Sequence, residues 1–365
     1  NFINGENITG GNNLLDVYNP QTGEIISKVP LSNSLSVDSA VAAAKEAFPG
    51  WSNLPIKERV QVFYKYKQLL ERHKDELAAL VSEENGKTIS ESEAEVLKSV
   101  EVTEFACSLP QLTFGEILEV SNGVECRSEF SPLGVVACIT PFNFPNMVPN
   151  WTLPNALVMG NTMVLKPSEQ VPLSAMRLAE LLKEAGLPDG VFNIVHGAQE
   201  VVESICDHPD IQAVSFVGST RVAKIVYKRS TANLKRALAL GGAKNHLIVL
   251  PDANVEMTAS NVAVSMSGCA GQRCMAASAM VAVGDVDHII EKLCEEARNI
   301  IPGKNLGSVI SAEAKLRIEN YINEAEAQGA KILVDGRGAI VDGCEEGYYV
   351  GPTIIDNVTP DMKIA

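Results

Sequence analysis

The sequence lacks any long apolar run. No stretch of 18 or more consecutive apolar residues occurs among its 365 residues, so no transmembrane helix is expected. The opening residues 1–5 have neither the basic nor the apolar region of a signal peptide. With 46% hydrophobic and 21% charged residues, the composition is that of a globular protein without membrane contact.

Clusters of basic residues are also missing. The 30 Lys and Arg residues are scattered among 45 Asp and Glu residues, and the formal net charge is −15. Contact with phosphate groups needs concentrated Lys and Arg, so nucleic acid and anionic membranes are not expected as partners.

Metal-ligand spacing of cysteine is absent. The eight cysteines include no CxxC pair and no Cys/His set with zinc spacing, so no metal site is expected. Cys107, Cys138 and Cys206 lie in apolar stretches, where a reduced cysteine behaves as a small core side chain. This usage favours a reducing compartment, and we predict a cytoplasmic protein.

Helical patterns dominate the first hundred residues. Apolar residues recur at helical spacing over 36–48, over about 56–84 and over 90–105. Asn85-Gly86 supplies residues that adopt left-handed backbone angles readily and should end the second helix. Three helices are therefore predicted before residue 106.

The stretch 115–136 changes to alternation of apolar and polar residues. Ser121-Asn122-Gly123 at its centre is a strong hairpin turn signal. A hairpin between helices and later strands often projects from its domain. We therefore predict that this segment pairs with another subunit.

From Val135 onward, short apolar strands alternate with helices, which is typical of a parallel α/β sheet. Helices are predicted at 172–185 and 220–229, and a second α/β unit is expected from near Gly241. The predicted strands of the first unit, followed by that at the start of the second, are 134–139, 162–165, 191–195, 213–217 and 246–250. Later in the second unit we predict a strand at 278–283 and helices at 287–299 and 312–328.

One cysteine is a candidate nucleophile. Cys274 follows glycines and small residues that would leave its sulfur accessible, and the positive charge of Arg273 would favour its thiolate. Cys269 is a nearby rival without an adjacent cation. From the local sequence alone, a buried structural cysteine remains the stronger interpretation of Cys274.

Polar residues follow three of the predicted strands, at the edge where open α/β sheets bind ligands. Asn143 could donate to a developing oxyanion, or could complete a turn. Lys166 and Glu169 suit ribose hydroxyls, or could belong to a solvated turn. The segment 218–220 opens a helix that could hold a pyrophosphate, or could serve only as an N-cap.

Four segments in this order resemble the aldehyde dehydrogenase superfamily over essentially the whole chain: TPFNFP, LKPSE, FVGSTRVAK and GQRC. GGAKNH and GQRCMA resemble its CoA-acylating, methylmalonate-semialdehyde dehydrogenase branch. The resemblance implies an α/β fold with a Rossmann-like NAD-binding domain at 1–112 and 132–240. It also implies an oligomerisation hairpin at 113–131 and a catalytic α/β domain at 241–365 that is incomplete at its C-terminus.

The resemblance also implies roles for individual residues. Cys274 is the nucleophile, Asn143 the oxyanion-hole amide, and Lys166 with Glu169 the pair on the adenosine ribose. Arg273 resembles the residue that receives a substrate carboxylate. Further positions implied to line the NAD site are Thr140, Phe142, Gln170, Ser219 and Gly241.

Three positions depart from the family pattern. Ala239 stands where hydrolytic members carry the Glu that activates the deacylating water, so transfer to a thiol such as CoA is expected. Lys98-Ser99 replaces the branch's Arg-Gly, so Lys98 is a weaker candidate for a second carboxylate contact, because it lacks the bidentate fork of Arg. Ala223 replaces a common Gly and should affect only packing.

The expected activity is NAD-dependent oxidation of a malonate or methylmalonate semialdehyde, through a cysteine thioester, with acyl transfer to CoA. NAD is favoured over NADP because Glu169 would repel a 2′-phosphate. Alternatives are a hydrolytic dehydrogenase for another small anionic aldehyde and an inactive dinucleotide-binding or structural relative. The family further implies a homo-oligomer, either a dimer or a tetramer.

Overall fold

The computed structural model describes residues 1–9 and 13–365. Its contacts divide the chain into two compact units. The first unit comprises Asn1–Val17, Ser27–Leu80 and Glu93–Gly241. The second unit comprises Tyr18–Ile26, Val81–Ser92 and Gly242–Ala365. Two short segments from the first hundred residues thus belong with the C-terminal part of the chain.

The helices of the described residues follow in chain order. They are α1 (Ser34–Ser52), α2 (Ile56–Arg72), α3 (Lys74–Asn85), α4 (Ile89–Ser108), α5 (Met147–Val158), α6 (Pro172–Glu184), α7 (Gln199–Asp207), α8 (Thr220–Ala232), α9 (Val255–Ser267), α10 (Asp287–Arg298) and α11 (Ala312–Ala327). Within this described part of the chain, no helix is both long and apolar enough to cross a membrane.

The strands are short. They are β1 (Phe2–Ile3), β2 (Glu6–Asn7), β3 (Leu14–Tyr18), β4 (Ile25–Pro30), β5 (Glu116–Ser121), β6 (Val124–Ser128), β7 (Val135–Ile139), β8 (Thr162–Lys166), β9 (Phe192–Ile194), β10 (Ile211–Val217), β11 (Arg236–Leu240), β12 (Asn245–Val249), β13 (Ala277–Ala282), β14 (Lys331–Val334) and β15 (Ile354–Asp356).

A seven-stranded sheet in the order β11-β10-β7-β8-β9-β1-β2 forms the first unit. Strands β11, β10, β7, β8 and β9 are parallel, and β1 and β2 add an antiparallel edge. Every residue of β7 and of β8 is buried. Parallel strands covered on both faces need such continuous apolar runs, and this is the α/β fold predicted from the sequence.

Alternate residues of β7 enter two different apolar cores. Val136 and Cys138 pack with α2, α5 and α6, which contribute side chains such as Phe63, Leu157 and Leu178. On the opposite face, Val135, Ala137 and Ile139 pack with α1, α7 and α8. The period of two along the strand therefore places one helical layer on each face of the sheet.

The second unit has its own small α/β core. Strands β12 and β13 run parallel, and β14 pairs antiparallel with β15. Helices α9 and α10 contribute Ala259, Val262, Ala263 and Leu293 to one apolar cluster. The candidate nucleophile, Cys274, lies in the segment between α9 and β13.

The predicted hairpin is confirmed. Strands β5 and β6 pair antiparallel, and every residue in both strands is exposed. Within the described residues neither strand joins a larger sheet. The apolar side chains of Ile117, Leu118, Val120 and Val124 are all more than half exposed.

The single helix predicted over 56–84 was wrong. Helix α2 ends at Arg72, His73 has non-helical backbone angles, and α3 begins at Lys74. The apolar spacing continues across this break, so the pattern concealed it. Helix α5 was missed because Pro149 and Pro154 disguise its periodicity, although a Pro is tolerated in a first turn and packing outweighs the cost of the second.

Gly86, which follows α3, packs closely against another part of the second unit. Its φ of +87° is in the left-handed region, and its carbonyl oxygen accepts a 2.9 Å hydrogen bond from the Ser308 N–H. A Cβ at this position would lie 2.2 Å from Ser308 Oγ and 3.0 Å from Pro20 Cβ. The residue must therefore be Gly both for its backbone angle and for the close approach.

We expect Gly86→Ala to lower the free energy of unfolding by more than the roughly 1–2 kcal/mol that a left-handed alanine costs, because the methyl group would also displace Ser308. Urea denaturation measures the loss. Gly329→Ala is the matched control, since Gly329 has a φ of +96° and a Cβ added there would meet no atom within 4 Å. Equal losses for the two variants would contradict the close-packing argument.

Candidate active site

The carboxyl ends of β7, β8 and β10 lie side by side in the first unit. Ile139, at the end of β7, is opposite Phe216 of β10 on one side and Lys166 of β8 on the other. After β7 the chain first builds outward through β8, and later returns to place β10 on the other side of β7. Such a reversal of strand order creates the crevice in which α/β sheets bind ligands.

Lys166 and Glu169 form an ion pair at this edge. Lys166 is 5% exposed, and its Nζ lies 2.8 Å from Glu169 Oε2. Glu169 is half-buried. The pair holds one donor and one acceptor at the mouth of the crevice, which is the combination that ribose hydroxyls require.

His196 follows β9 and is buried, and the positive charge of Lys166 acts on it. Burial foremost, with the positive charges of the Asn1 amino group and of Lys166 adding to it, lowers the pKa of His196 to about 3. Its Nδ1 has no hydrogen-bond partner within the described residues. His196 is therefore neutral at pH 7, and Lys166 supplies the positive charge at this end of the sheet.

The N-terminus of α8 follows β10 directly. Ser219 is its N-cap, and the Ser219 Oγ accepts a 3.4 Å hydrogen bond from the Val222 N–H. A Cβ on Gly218 would lie 2.5 Å from Phe216 Cζ, so the turn into the helix passes closely over that ring. The N–H groups of the first helical turn carry the positive end of the helix dipole, which favours an anion.

The remaining predicted NAD-site residues also belong to the first unit. Thr140 is 4% exposed, and its Oγ1 has no hydrogen-bond partner in the described part of the chain. Leaving a buried hydroxyl without a partner costs about 1–3 kcal/mol, so a ligand that bonds to it would gain affinity. Asn143 is buried, whereas Phe142, Gln170 and Gly241 are half-buried.

Cys274 lies in the second unit, after a turn with left-handed backbone. Cys269, Ala270 and Gly271 have φ values of 53°, 50° and 75°. For the two residues that are not Gly, this conformation costs roughly 1–2 kcal/mol each, so surrounding contacts must hold it. Cys274 itself is exposed, whereas Cys269 is 2% exposed.

Three side chains fasten the segment around Cys274 within the second unit. Asn245 Nδ2 donates to the Cys274 carbonyl oxygen at 2.8 Å and to that of Ala276 at 2.9 Å. Gln272 Oε1 accepts from the Ile310 N–H at 3.1 Å. Glu91 Oε1 accepts from the Cys269 N–H at 2.6 Å. The backbone on both sides of the candidate nucleophile is therefore held by side-chain contacts.

Arg273 is half-buried next to Cys274. Its Nη2 lies 3.3 Å from Glu91 Oε1. A Cβ on Gly268 would lie 2.1 Å from Arg273 Cζ, so the guanidinium occupies space that only Gly leaves open. Lys98, the other predicted carboxylate contact, belongs to the first unit, is exposed, and pairs with Glu101 at 2.5 Å.

Glu91 and Asn245 were missed from the sequence. The Thr88-x-x-Glu91 spacing is typical of a helix N-terminus, and the structure contains the reciprocal cap: Thr88 N–H donates to Glu91 Oε2, and Glu91 N–H donates to Thr88 Oγ1. That signal predicts the cap alone. The contacts of the same carboxylate with residues 178 and 182 positions later depend on the tertiary fold.

The other cysteines behave as predicted. Cys107, Cys138 and Cys206 are buried, and burial raises the pKa of all three thiols, those of Cys107 and Cys138 to about 11. They are unreactive core side chains at neutral pH.

Comparison with known proteins identifies the family. The sequence model of the aldehyde dehydrogenase family matches residues 8–365. The chain belongs to the aldehyde dehydrogenase family. It is therefore an oxidoreductase that acts on aldehydes, and the resemblance that its motifs carry is confirmed.

Two semialdehyde dehydrogenases and one further aldehyde dehydrogenase are similar to the chain over 95–100% of its length. The chain is 50% identical to malonate-semialdehyde dehydrogenase 1 of Geobacillus thermodenitrificans over 357 residues, covering 95% of this chain and 73% of that one. It is 44% identical to the solved methylmalonate-semialdehyde dehydrogenase of Oceanimonas doudoroffii, with a TM-score of 0.97 over all of this chain and 76% of that one. An aldehyde dehydrogenase from Bacillus cereus, solved as an NAD⁺ complex, is 33% identical, with a TM-score of 0.94 over 100% and 76% of the two chains.

The buried His196 should make this aldehyde dehydrogenase less stable in mild acid. The folded-state pKa is lowered from 6.5 to about 3, so the stability that neutral His196 contributes is complete above pH 6.5 and is lost as the pH falls towards 3. We expect the free energy of unfolding to lose up to about 1.4 kcal/mol per pH unit through this group, and His196→Gln to lack that component.

Urea denaturation between pH 7 and pH 4.5 measures the effect as the stability difference between the unmodified protein and His196→Gln. That difference should fall with pH. His246→Gln, at an exposed histidine, is the control and should give a constant difference. A constant difference for His196→Gln as well would disprove the assignment.

Proposed function

We propose that the protein oxidises malonate or methylmalonate semialdehyde with NAD and transfers the acyl group to CoA. The observation that carries this proposal is the 44–50% identity to enzymes named for these substrates. The same proposal follows from the GGAKNH and GQRCMA segments and from Ala239.

The crevice of the first unit fits NAD. Lys166 and Glu169 would bond the adenosine ribose, and the α8 N-terminus with its Ser219 cap would hold the pyrophosphate. The buried Thr140 hydroxyl offers a further polar contact. When bound, NAD supplies the acceptor for the hydride that leaves the substrate carbon. Glu169 disfavours NADP, because its carboxylate would repel a 2′-phosphate.

Cys274 is the proposed nucleophile. Its thiolate attacks the aldehyde carbon, and the carbonyl π electrons move to the oxygen to give a tetrahedral alkoxide. The Asn143 side-chain amide and the Cys274 backbone N–H are the proposed donors to that oxyanion. Loss of hydride from the same carbon leaves a thioester on Cys274. Its exposure supports Cys274 over the buried Cys269, since a nucleophile must reach its substrate.

Arg273 is the proposed receptor of the substrate carboxylate, because a guanidinium can donate two parallel hydrogen bonds to a carboxylate. Lys98 is the weaker candidate for a second contact. Its ammonium is a point charge, and it is exposed and paired with Glu101.

Ala239 supports acyl transfer to CoA. It lies in β11 and is half-buried, and its methyl group packs against the apolar core of the first unit. No carboxylate at this position can activate water. The CoA thiolate instead attacks the thioester carbonyl and expels the Cys274 thiolate. For a malonate-type substrate, the carboxylate leaves as CO₂ before that transfer. The electrons of the broken C–C bond form an enolate of the thioester, and a proton from solvent then takes the place of the carboxylate on the α-carbon.

We further propose that the enzyme acts in the cytoplasm as a homo-oligomer. The exposed apolar side chains of the β5–β6 hairpin support assembly through this element. No disulfide joins cysteines in the described residues, as a reducing compartment requires.

The first test follows NADH formation from malonate semialdehyde, using the longest natural form of the gene product. We expect steady turnover with CoA and at most one turnover per active site without it. Cys274→Ala should abolish NADH formation, a loss of at least about 10⁴-fold. Cys126→Ala, at another exposed cysteine, is the matched control and should retain activity.

Steady turnover without CoA would instead identify a hydrolytic dehydrogenase. Retained activity in Cys274→Ala would disprove the assignment of the nucleophile. NAD binding without NADH formation from any aldehyde would identify an inactive relative.

Ala239→Glu should introduce the missing base. We expect the rate of NADH formation without CoA to rise at least about tenfold, because general bases typically contribute 10²–10⁴. Ala237→Glu places the same side chain two residues earlier on the same face of β11 and should leave that rate unchanged. A similar response from both variants, or from neither, would contradict the role given to residue 239.

A further inference from the structure

Glu91 uses both carboxylate oxygens within the second unit. Oε2 accepts from the Thr88 N–H at 3.2 Å and from the Thr88 hydroxyl at 3.1 Å, which caps α4. Oε1 accepts from the Cys269 N–H at 2.6 Å and lies 3.3 Å from Arg273 Nη2. One side chain therefore connects the start of a long helix to two points of the segment before Cys274.

The turn that Glu91 holds is one that the backbone does not favour. Cys269 and Ala270 have left-handed φ values, although neither is Gly. The Cys269 N–H, which donates to Glu91, is the first backbone group of this turn. The Cys269 carbonyl oxygen accepts a hydrogen bond from the Gln272 N–H at 3.0 Å. Without the carboxylate, the turn would relax towards commoner angles and shift Arg273 with it.

The contact with Glu91 also holds one nitrogen of the Arg273 guanidinium. Glu91 engages Nη2, while Arg273 Nε has no hydrogen-bond partner within the described residues. Gly268 leaves the space in which the planar group lies. Held at Nη2 and packed over Gly268, the guanidinium has little freedom to turn, and its planar, forked donors suit a planar carboxylate.

We propose that Glu91 is a positioning residue, which holds the Cys269–Arg273 turn so that Arg273 presents its free donors to an anionic group reacting at Cys274. This inference rests on the proposed function for the nature of that anion, a substrate carboxylate. The acid itself does not contact substrate; it acts through Arg273 and the backbone of the turn.

A test independent of turnover compares two alkylating agents of nearly equal size. Iodoacetate carries a carboxylate, whereas iodoacetamide is neutral. Peptide mass spectrometry gives the rate of each at Cys274, with N-acetylcysteine in the same solution as the reference thiol. We expect the iodoacetate-to-iodoacetamide rate ratio at Cys274 to exceed that of N-acetylcysteine by about tenfold, from attraction to a positioned cation.

In Glu91→Ala, the ratio at Cys274 should fall to that of Arg273→Ala, and the double variant should show no further fall. Glu91→Gln keeps an acceptor oxygen and should restore part of the ratio. Thr88→Ala is the matched control: it weakens the α4 cap but leaves the Glu91 carboxylate on Cys269 and Arg273, so the ratio should remain. The ratio for N-acetylcysteine should not respond to any of these changes.

Three results would overturn the inference. The ratio could stay unchanged in Glu91→Ala while falling in Arg273→Ala, or it could rise in Glu91→Ala because the acid merely masks the Arg273 charge. The third such result is a ratio at Cys274 that is the same in Arg273→Ala as in the unmodified protein. Failure of the proposed function looks different: malonate semialdehyde would give no NADH, while the alkylation ratio still fell in Glu91→Ala.

Discussion

The structure of the first unit depends on burying strand β7 on both faces. Its five residues alternate between two apolar cores, so helices must cover each side of the sheet. Parallel strands then require crossover helices, and those crossovers place the carboxyl ends of the five parallel strands at one edge. Lys166, Thr140 and the Ser219 cap therefore lie at the same edge of the sheet, because they follow or end three adjacent parallel strands.

Burial also determines which polar groups in this crevice are charged. Lys166 is almost fully buried, yet it is paired with Glu169, whereas burial keeps His196 neutral. Desolvation disfavours a buried charge. Pairing Lys166 with Glu169 and keeping His196 neutral each reduce that cost. Together they leave one donor and one acceptor for a ribose, and no unpaired charge.

In the second unit, the candidate nucleophile is exposed, yet its backbone is held in place. Cys274 is exposed and follows a left-handed turn that is unfavourable in isolation. Asn245, Gln272 and Glu91 hold the backbone around it through hydrogen bonds. The cost of the turn is thus offset by side chains from distant parts of the sequence. Segment Val81–Ser92, which carries Glu91, belongs to this unit.

The sequence by itself determined the α/β class, the hairpin, most strands, the buried cysteines and the family, because these depend on local periodicity, turn residues and short motifs. It could not reveal the break at His73, where apolar spacing runs on, or helix α5, where prolines interrupt the pattern. The contact of Glu91 with Cys269 and Arg273 was likewise decided only by the tertiary structure. A helix cap is a local property, whereas a hydrogen bond between residues 91 and 269 exists only after folding brings two distant segments together.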